Sequence, residues 1–178
     1  PANVYAITIA GTTVTETKLN TTATAGGNAA QVAQVGSTLY FTTQTGTTTQ
    51  LFAVPSAGGA PKALTRFEGT LGGFFGSEGV AFAADRSRFA TVVATTTTPF
   101  EVAVFDAATG TPRIVTSHNA IAREWSLGRT EVVRWKSTDG LEVEGLLVYP
   151  VNYQVGTKVP LHTVVHGGPS GAWMQSFA

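Results

Sequence analysis

The sequence contains no cysteine and few charged residues, and both scarcities restrict what the protein can be. Without cysteine, disulfide bonds, thiolate catalysis and cysteine-based zinc sites are excluded within these 178 residues. Charged side chains make up 12% of the chain, against about 25% in typical globular proteins. Long surface helices need Lys, Glu and Arg on their solvent side, so a helical protein is not expected. The 29 threonines and 20 glycines favour strands and turns, because β-branched threonine suits the solvated face of a strand.

A charge excess of either sign is also missing. Eleven Lys and Arg residues balance eleven Asp and Glu residues without a dense basic cluster, so nucleic acid is not expected as a partner. No apolar run approaches the ~20 residues of a membrane helix, and the first residues lack the features of a signal peptide. We therefore expect a soluble protein without a membrane partner. Its compartment, cytoplasmic or periplasmic or secreted, stays open, because any targeting segment would lie outside this sequence.

Three similar hairpin patterns recur along the first two thirds of the chain. Their first strands are predicted at residues 4–7, 51–54 and 102–105, spaced 47 and then 51 residues apart. Each is followed by a turn and a return strand. The second and third return strands share the pattern Pro-[Lys/Arg]-x-[Leu/Val]-Thr, at residues 61–65 and 112–116. A recurrence at this spacing predicts a repeated structural unit.

Further strand candidates precede the second and third hairpins, at residues 38–42, 80–82 and 89–93. Four short strands per about 40 to 50 residues is the period of a β-propeller blade. A propeller closes with about four to eight blades, and about two and a half fit here. We therefore interpret residues 1–118 as the C-terminal blades of a larger β-propeller. A β-sandwich of about eight strands is the alternative, because its hairpins also recur.

The pattern changes in the last third of the chain. Residues 119–130 are interpreted as a linker. Residues 131–138 and 141–150 then alternate between apolar and polar side chains on either side of Asp139-Gly140. An Asp-Gly pair between two alternating segments predicts a β-hairpin.

An apolar run and a glycine-rich turn follow this hairpin. Residues 159–165 predict a buried strand, in which His162 is interpreted as a hydrogen-bonded core imidazole and not as a catalytic group. The run ends at residues 166–169, which read His-Gly-Gly-Pro. Two adjacent glycines let the chain turn sharply and bring a peptide N–H close to a ligand oxygen. In α/β-hydrolases a loop of this type donates one hydrogen bond of the oxyanion hole, and a plain turn is the alternative.

As an ordered set, three segments resemble the propeller-to-hydrolase junction of the prolyl oligopeptidase family of serine peptidases: residues 123–126, 131–150 and 159–169. Within the family the acylaminoacyl-peptidase and dipeptidyl-aminopeptidase-like branch is the most similar. The resemblance implies a mainly β fold class, the last blades of a β-propeller followed by the first strands of an α/β-hydrolase domain. Residues 131–178 would form the N-terminal part of that hydrolase domain.

The same resemblance implies a function. It implies a serine peptidase that hydrolyses peptide or acyl-peptide bonds by a Ser-His-Asp mechanism, with the propeller restricting access to the active site. By motif position, Gly168 would carry the backbone N–H of the oxyanion hole. His166, Gly167 and Pro169 would shape that loop.

The catalytic triad itself is missing from the sequence. No Gly-x-Ser-x-Gly motif occurs, and Ser170 lacks the glycine spacing of a nucleophile elbow. The triad of α/β-hydrolases follows the order Ser, Asp or Glu, His. We therefore expect all three members beyond Ala178, and the histidines at positions 118, 162 and 166 are not expected to be the base. On this basis the 178-residue chain alone is predicted to be inactive.

No metal-ligand cluster or nucleotide-binding motif is present, so neither a metal nor a cofactor is expected. The expected partners are a peptide substrate and the remainder of the same enzyme, with a homo-oligomer left open. The sequence also leaves endopeptidase, acylaminoacyl-peptidase and dipeptidyl-peptidase specificity open. The alternative function is a noncatalytic β-propeller or β-sandwich binding module.

Overall fold

In the computed structural model the chain is almost entirely β in residues 3–19, 29–72, 79–168 and 171–177, which are the residues that the structure describes. The strands of this part are β1 (Tyr5–Ala10), β2 (Thr13–Lys18), β3 (Ala29–Val35), β4 (Thr38–Thr45), β5 (Thr48–Pro55), β6 (Lys62–Ala63), β7 (Thr70–Leu71), β8 (Ala81–Phe82), β9 (Arg88–Ala94), β10 (Glu101–Asp106), β11 (Pro112–Ile114), β12 (Thr130–Lys136) and β13 (Glu142–Val148). A 3-10 helix, Ala120–Glu124, lies inside the predicted linker. None of the described helical residues forms a segment with the length and hydropathy of a membrane-spanning helix.

Antiparallel pairing groups these strands into four sheets in the described part of the chain. Strands β1 and β2 form a hairpin, and β3 to β6 form a four-stranded sheet in chain order. In the third sheet, β9, β10 and β11 follow in order, and β7 and β8 both pair with β9. Together β7 and β8 take the place of one interrupted strand. Two successive four-stranded antiparallel meanders confirm the mainly β fold class predicted from the repeats.

The sheet of β3 to β6, which we call the middle sheet, is covered on both faces. Successive residues of a strand point to opposite sides, so each strand can contribute to both. On one face Phe52 belongs to a buried cluster with Leu19, next to the first hairpin. On the other face Leu51 belongs to a second cluster with Phe89 and Phe105 of the third sheet, whose rings stack with centroids 4.9 Å apart. Adjacent residues of β5 thus serve two different cores, as the face-to-face packing of successive propeller blades requires.

A buried hydrogen-bond network connects β5 with the residues that follow β6, the short last strand of the middle sheet. The Gln50 Oε1 atom accepts hydrogen bonds from the Thr65 hydroxyl at 2.8 Å and from the Phe67 N–H at 2.9 Å. The Thr65 oxygen in turn accepts the Leu51 N–H at 2.9 Å. Thr65 is the threonine that ends the repeated Pro-[Lys/Arg]-x-[Leu/Val]-Thr pattern. We call this network the Gln50 lock.

The third sheet carries the same network 51 residues later, with a carboxylate in place of the amide. Glu101 accepts hydrogen bonds from the Thr116 hydroxyl and from the N–H groups of His118 at 3.2 Å and Asn119 at 2.8 Å. The Thr116 oxygen accepts the Val102 N–H at 2.8 Å. We call this network the Glu101 lock. It fixes the point at which the chain leaves the last described blade and enters the predicted linker.

The Glu101 carboxyl is buried, and its donors stabilise its charged form. The Thr116 hydroxyl has the largest effect and the Asn119 N–H the next largest, and together with the His118 N–H and ring they lower the pKa of Glu101 to about 2. The Gln50 lock also has a threonine hydroxyl and a backbone N–H as donors, but it contains no titratable group. The two locks therefore differ in their response to pH.

The prediction of a buried strand at residues 159–165 is wrong. This segment forms no strand, and Leu161 and Val165 expose 77% and 82% of their surface. The interpretation of His162 as a core imidazole is also wrong, because its side chain is exposed. An apolar run becomes a strand only where neighbouring strands pair with it and other elements cover its faces. The described residues provide neither around this segment.

The hairpin predicted around Asp139-Gly140 is confirmed. Strands β12 and β13 pair from Thr130 opposite Val148 to Lys136 opposite Glu142. In the turn the Asp139 carboxylate accepts the Leu141 N–H at 3.0 Å, and Gly140 has φ +85°. The domain boundaries at residues 118 and 130 stay predictions.

We predict that Glu101→Gln makes the stability of the last blade less sensitive to acid. The wild-type carboxylate stabilises the fold fully above its ordinary pKa of 4.5, and this contribution is lost as the pH falls toward 2. The glutamine can make the bonds of the Gln50 lock but does not titrate. Urea unfolding at pH 7, 4 and 3 should therefore show a steeper loss of unfolding free energy for wild type than for the variant.

Two further measurements make this comparison specific. At pH 7, Glu101→Leu should lose about 1–3 kcal/mol of unfolding free energy, because buried donors lose their acceptor. Three exposed aspartates also have a lowered pKa, each mainly because a backbone N–H two or three residues ahead donates to the carboxylate: Asp85, Asp106 and Asp139. They titrate equally in wild type and variant, so they cancel in the comparison. Equal acid sensitivity of wild type and Glu101→Gln would contradict the prediction.

Candidate functional site

The predicted oxyanion loop lies at the surface. His166, Gly167 and Gly168 are exposed and follow the irregular segment at residues 159–165. Pro169 and Ser170 lie outside the described residues, so the predicted role of Pro169 stays a prediction. The described chain resumes at Gly171.

The backbone of Gly168 has the geometry of a site that only glycine adopts readily. Its φ angle is +127°, a region in which a Cβ atom is strained. Within the described part of the chain no acceptor receives its N–H. Next to it, the Nδ1 atom of His166 lies 3.1 Å from the Gly167 carbonyl oxygen. An exposed N–H on a glycine of this conformation can point at a ligand oxygen.

Two contacts bring the ends of the loop together. The indole N–H of Trp173 donates a hydrogen bond of 3.1 Å to the Val164 carbonyl. A Cβ atom on Gly171 would lie only 2.6 Å from the Gly167 carbonyl oxygen, so the two backbone segments approach too closely for any other residue. These two contacts connect residues 164 and 167 with residues that follow the loop.

The segment after the loop, residues 171–177, contacts the β4–β5 turn and the predicted linker. Gln175 forms two hydrogen bonds with Thr47, which lies in the turn between β4 and β5. The centroid of the Phe177 ring lies 6.0 Å from that of the Trp125 ring, and Trp125 directly follows the 3-10 helix. The structure thus brings together parts of the chain that are far apart in sequence, and no sequence motif predicted these contacts.

A polar cleft of about 680 Å³ lies beside Gln175, between the β4–β5 turn and the β12–β13 hairpin. Arg134 and Glu144 form an ion pair along one wall of the cleft. Residues that line it include Thr45, Thr48, Glu68, Val132 and Glu142. Nothing in the sequence marks these residues as neighbours, because the cleft exists only where the hairpin faces the β4–β5 turn.

A second polar cluster holds the base of the hairpin. The Glu131 carboxylate accepts the Tyr149 hydroxyl at 2.8 Å and pairs with Arg129 at 3.0 Å. The Arg129 guanidinium lies over the Tyr149 ring, 4.2 Å from its centroid, as in a cation–π contact. The hydrogen bond to Glu131 is the main reason why the pKa of Tyr149 is raised. The cluster connects the start of β12 with the residue that directly follows β13.

The described residues do not form a catalytic triad. No serine hydroxyl in the described ranges is hydrogen-bonded to a histidine ring, and the imidazole rings of His118, His162 and His166 have no carboxylate as a hydrogen-bond partner there. Among the same residues, no three His, Cys, Asp or Glu side chains surround a common metal position.

Comparison with known proteins gives matches only in three dimensions. No family model matches the sequence, and no curated protein matches it. Solved structures match over most of the chain. An AtxE2 isopeptidase variant with bound Astexin3-dC4 is 20% identical, with a TM-score of 0.67 over 92% of this chain and 23% of its own. An acylaminoacyl peptidase of Pyrococcus horikoshii is 23% identical, with a TM-score of 0.65 over 84% of this chain and 22% of its own.

A structure from a study of two prolyl endopeptidases also matches, at 16% identity and a TM-score of 0.52, over 81% of this chain and 20% of its own. This chain has the fold of prolyl oligopeptidase-type peptidases. It spans less than a quarter of the length of each of these structures. The resemblance read from the sequence motifs is thus confirmed for the fold. The roles of His166, Gly167, Gly168 and Pro169 stay predictions.

We predict that Gly171→Ala opens the loop. The added Cβ would clash with the Gly167 carbonyl, and overpacking of this kind typically costs about 1–3 kcal/mol. Hydrogen exchange at the Gln175 amide, which donates to the Thr47 carbonyl, should become roughly tenfold faster. The matched control is Gly79→Ala, where an added Cβ meets no atom within 4 Å. Unchanged exchange in Gly171→Ala would show that the close approach does not hold the loop.

Proposed function

We propose that this chain is part of a longer serine peptidase of the prolyl oligopeptidase family. In this proposal residues 1–118 are blades of its β-propeller, and residues 131–178 begin its α/β-hydrolase domain. The observation that carries the proposal is the extent of the structural match. Residues 1–118 are about two thirds of the chain, whereas the match to the isopeptidase covers 92%. A propeller that served only as a binding module would have no reason to match beyond its blades.

Gly168 would act as one donor of the oxyanion hole. When the nucleophile attacks the scissile carbonyl, negative charge develops on the carbonyl oxygen, and a fixed N–H that points at this oxygen stabilises the transition state. The φ angle of Gly168 and the lack of an acceptor for its N–H among the described residues support this role. His166, Gly167 and Pro169 would hold the N–H in place, and the residue after the nucleophile would supply the second donor.

The nucleophile, base and acid would belong to other parts of the enzyme. The substrates would be peptides or acyl-peptides, and the propeller would restrict access to the active site. The matched structures bear the names isopeptidase, acylaminoacyl peptidase and prolyl endopeptidase, so the proposal is limited to hydrolysis of peptide or acyl-peptide bonds. The reaction needs no metal ion or cofactor, because an activated serine and oriented donors suffice.

We predict that the 178-residue chain by itself does not react with a fluorophosphonate probe, because it lacks an activated serine. The complete gene product should be labelled at one serine in a Gly-x-Ser-x-Gly motif. Mass spectrometry of labelled peptides distinguishes the two results. Stoichiometric labelling of a serine within the 178 residues would contradict the assignment of the triad. A complete gene product that binds peptides but is never labelled would support the binding-module alternative.

We predict that Gly168→Pro lowers kcat of the complete enzyme by about 10² to 10³, the usual effect of losing one oxyanion donor. Proline removes the N–H, and it also fixes φ near −65°, far from the observed +127°. Gly168→Ala controls for this strain, because it keeps the N–H while also disfavouring the positive φ. Its kcat should lie between those of Gly168→Pro and wild type. Kinetics on an aminoacyl anilide, with circular dichroism to verify folding, tests this; a folded Gly168→Pro enzyme with wild-type kcat would overturn the assignment.

A further inference from the structure

Two hydrogen bonds connect residues that are 128 positions apart. The Gln175 backbone N–H donates to the Thr47 carbonyl at 2.7 Å, and the Gln175 side-chain amide donates to the Thr47 hydroxyl at 3.0 Å. Thr47 is buried, with 7% of its surface exposed. One residue of a propeller blade thus holds both the backbone and the side chain of one residue of the segment that follows the oxyanion loop.

The blade side of this contact is held by hydrogen bonds of its own. Strands β4 and β5 are paired along their whole length, up to Thr45 opposite Thr48. The turn between them is fixed by the Gln44 side chain, which donates to the Gly46 carbonyl at 3.1 Å. The Thr48 hydroxyl donates to the Thr45 carbonyl at 2.9 Å. Thr47 is therefore held in position independently of Gln175.

The loop side of the contact leads directly to Gly168. Gln175 lies two residues after Trp173, whose indole closes the loop onto Val164. It lies four residues after Gly171, whose backbone packs against the Gly167 carbonyl. Within this chain the residues before the loop form no strand, so no sheet of this chain fixes its position. The position of the loop relative to the blades thus depends on the segment that Thr47 holds.

We propose that Thr47 and Gln175 are positioning residues for the oxyanion loop, so that a propeller blade sets the orientation of the Gly168 N–H. The inference rests on the proposed function. An oxyanion donor acts only if it is held within about 0.5 Å of its productive position, and small displacements reduce the rate strongly.

The test uses Thr47→Val and Gln175→Met in the complete enzyme. Each variant keeps the approximate size of the side chain and removes the side-chain hydrogen bond. We expect kcat to fall roughly 3- to 10-fold in each, with little change in KM, because one ordinary hydrogen bond is lost and the substrate contacts stay. The double variant should be no worse than the poorer single variant, since both changes remove the same bond. Thr49→Val is the matched control, because the Thr49 hydroxyl makes no hydrogen bond in the described part of the chain.

A further comparison separates positioning from a merely structural role. In the Gly168→Pro background the donor is already gone, so Thr47→Val should not lower kcat any further. A structural role would lower activity equally in both backgrounds. Wild-type kcat in both Thr47→Val and Gln175→Met, or additive losses with Gly168→Pro, would overturn the positioning role while leaving the proposed function intact. Absence of any hydrolysis by the complete wild-type protein would overturn both.

Discussion

The Gln50 and Glu101 locks are the interactions on which the rest of the structure depends. The last strand of the middle sheet has only two residues and that of the third sheet has three, so ladder hydrogen bonds alone hold them weakly. Each lock ties the chain beyond that strand back to the neighbouring strand through a buried amide or carboxylate. The sheets can therefore stay narrow, and their faces remain free to stack on one another.

The second lock has a further consequence, because Glu101 binds Asn119, the first residue of the predicted linker, as well as the end of its own sheet. From there the 3-10 helix leads to Trp125, whose ring contacts Phe177. The blade turn at Thr47 holds the same segment through Gln175. The proposed oxyanion loop has no sheet of its own in the described residues. Residues 171–177, which follow it, contact the predicted linker and the β4–β5 turn.

Local patterns predicted the local structure well. The hairpin of β12 and β13 was predictable because an Asp-Gly turn and the alternation of side chains act within a few residues. The repeated Pro-[Lys/Arg]-x-[Leu/Val]-Thr pattern located the return strands. Its threonines, Thr65 and Thr116, supply the hydroxyl groups of the two locks. The acceptors of these hydroxyls, Gln50 and Glu101, were not recognised, because each precedes its threonine by 15 residues and one is an amide while the other is an acid.

The sequence by itself determined the β class, the spacing of the repeated hairpins and the Asp-Gly hairpin, because these follow from side-chain alternation and turn chemistry. Only the tertiary structure decided that residues 159–165 are exposed, since a strand is defined by its neighbours and not by its own apolar residues. It also decided that Thr47 holds Gln175 and that Gly171 packs against Gly167. Such contacts depend on how separate sheets and segments meet in space, so they cannot be predicted from the periodicity of the sequence.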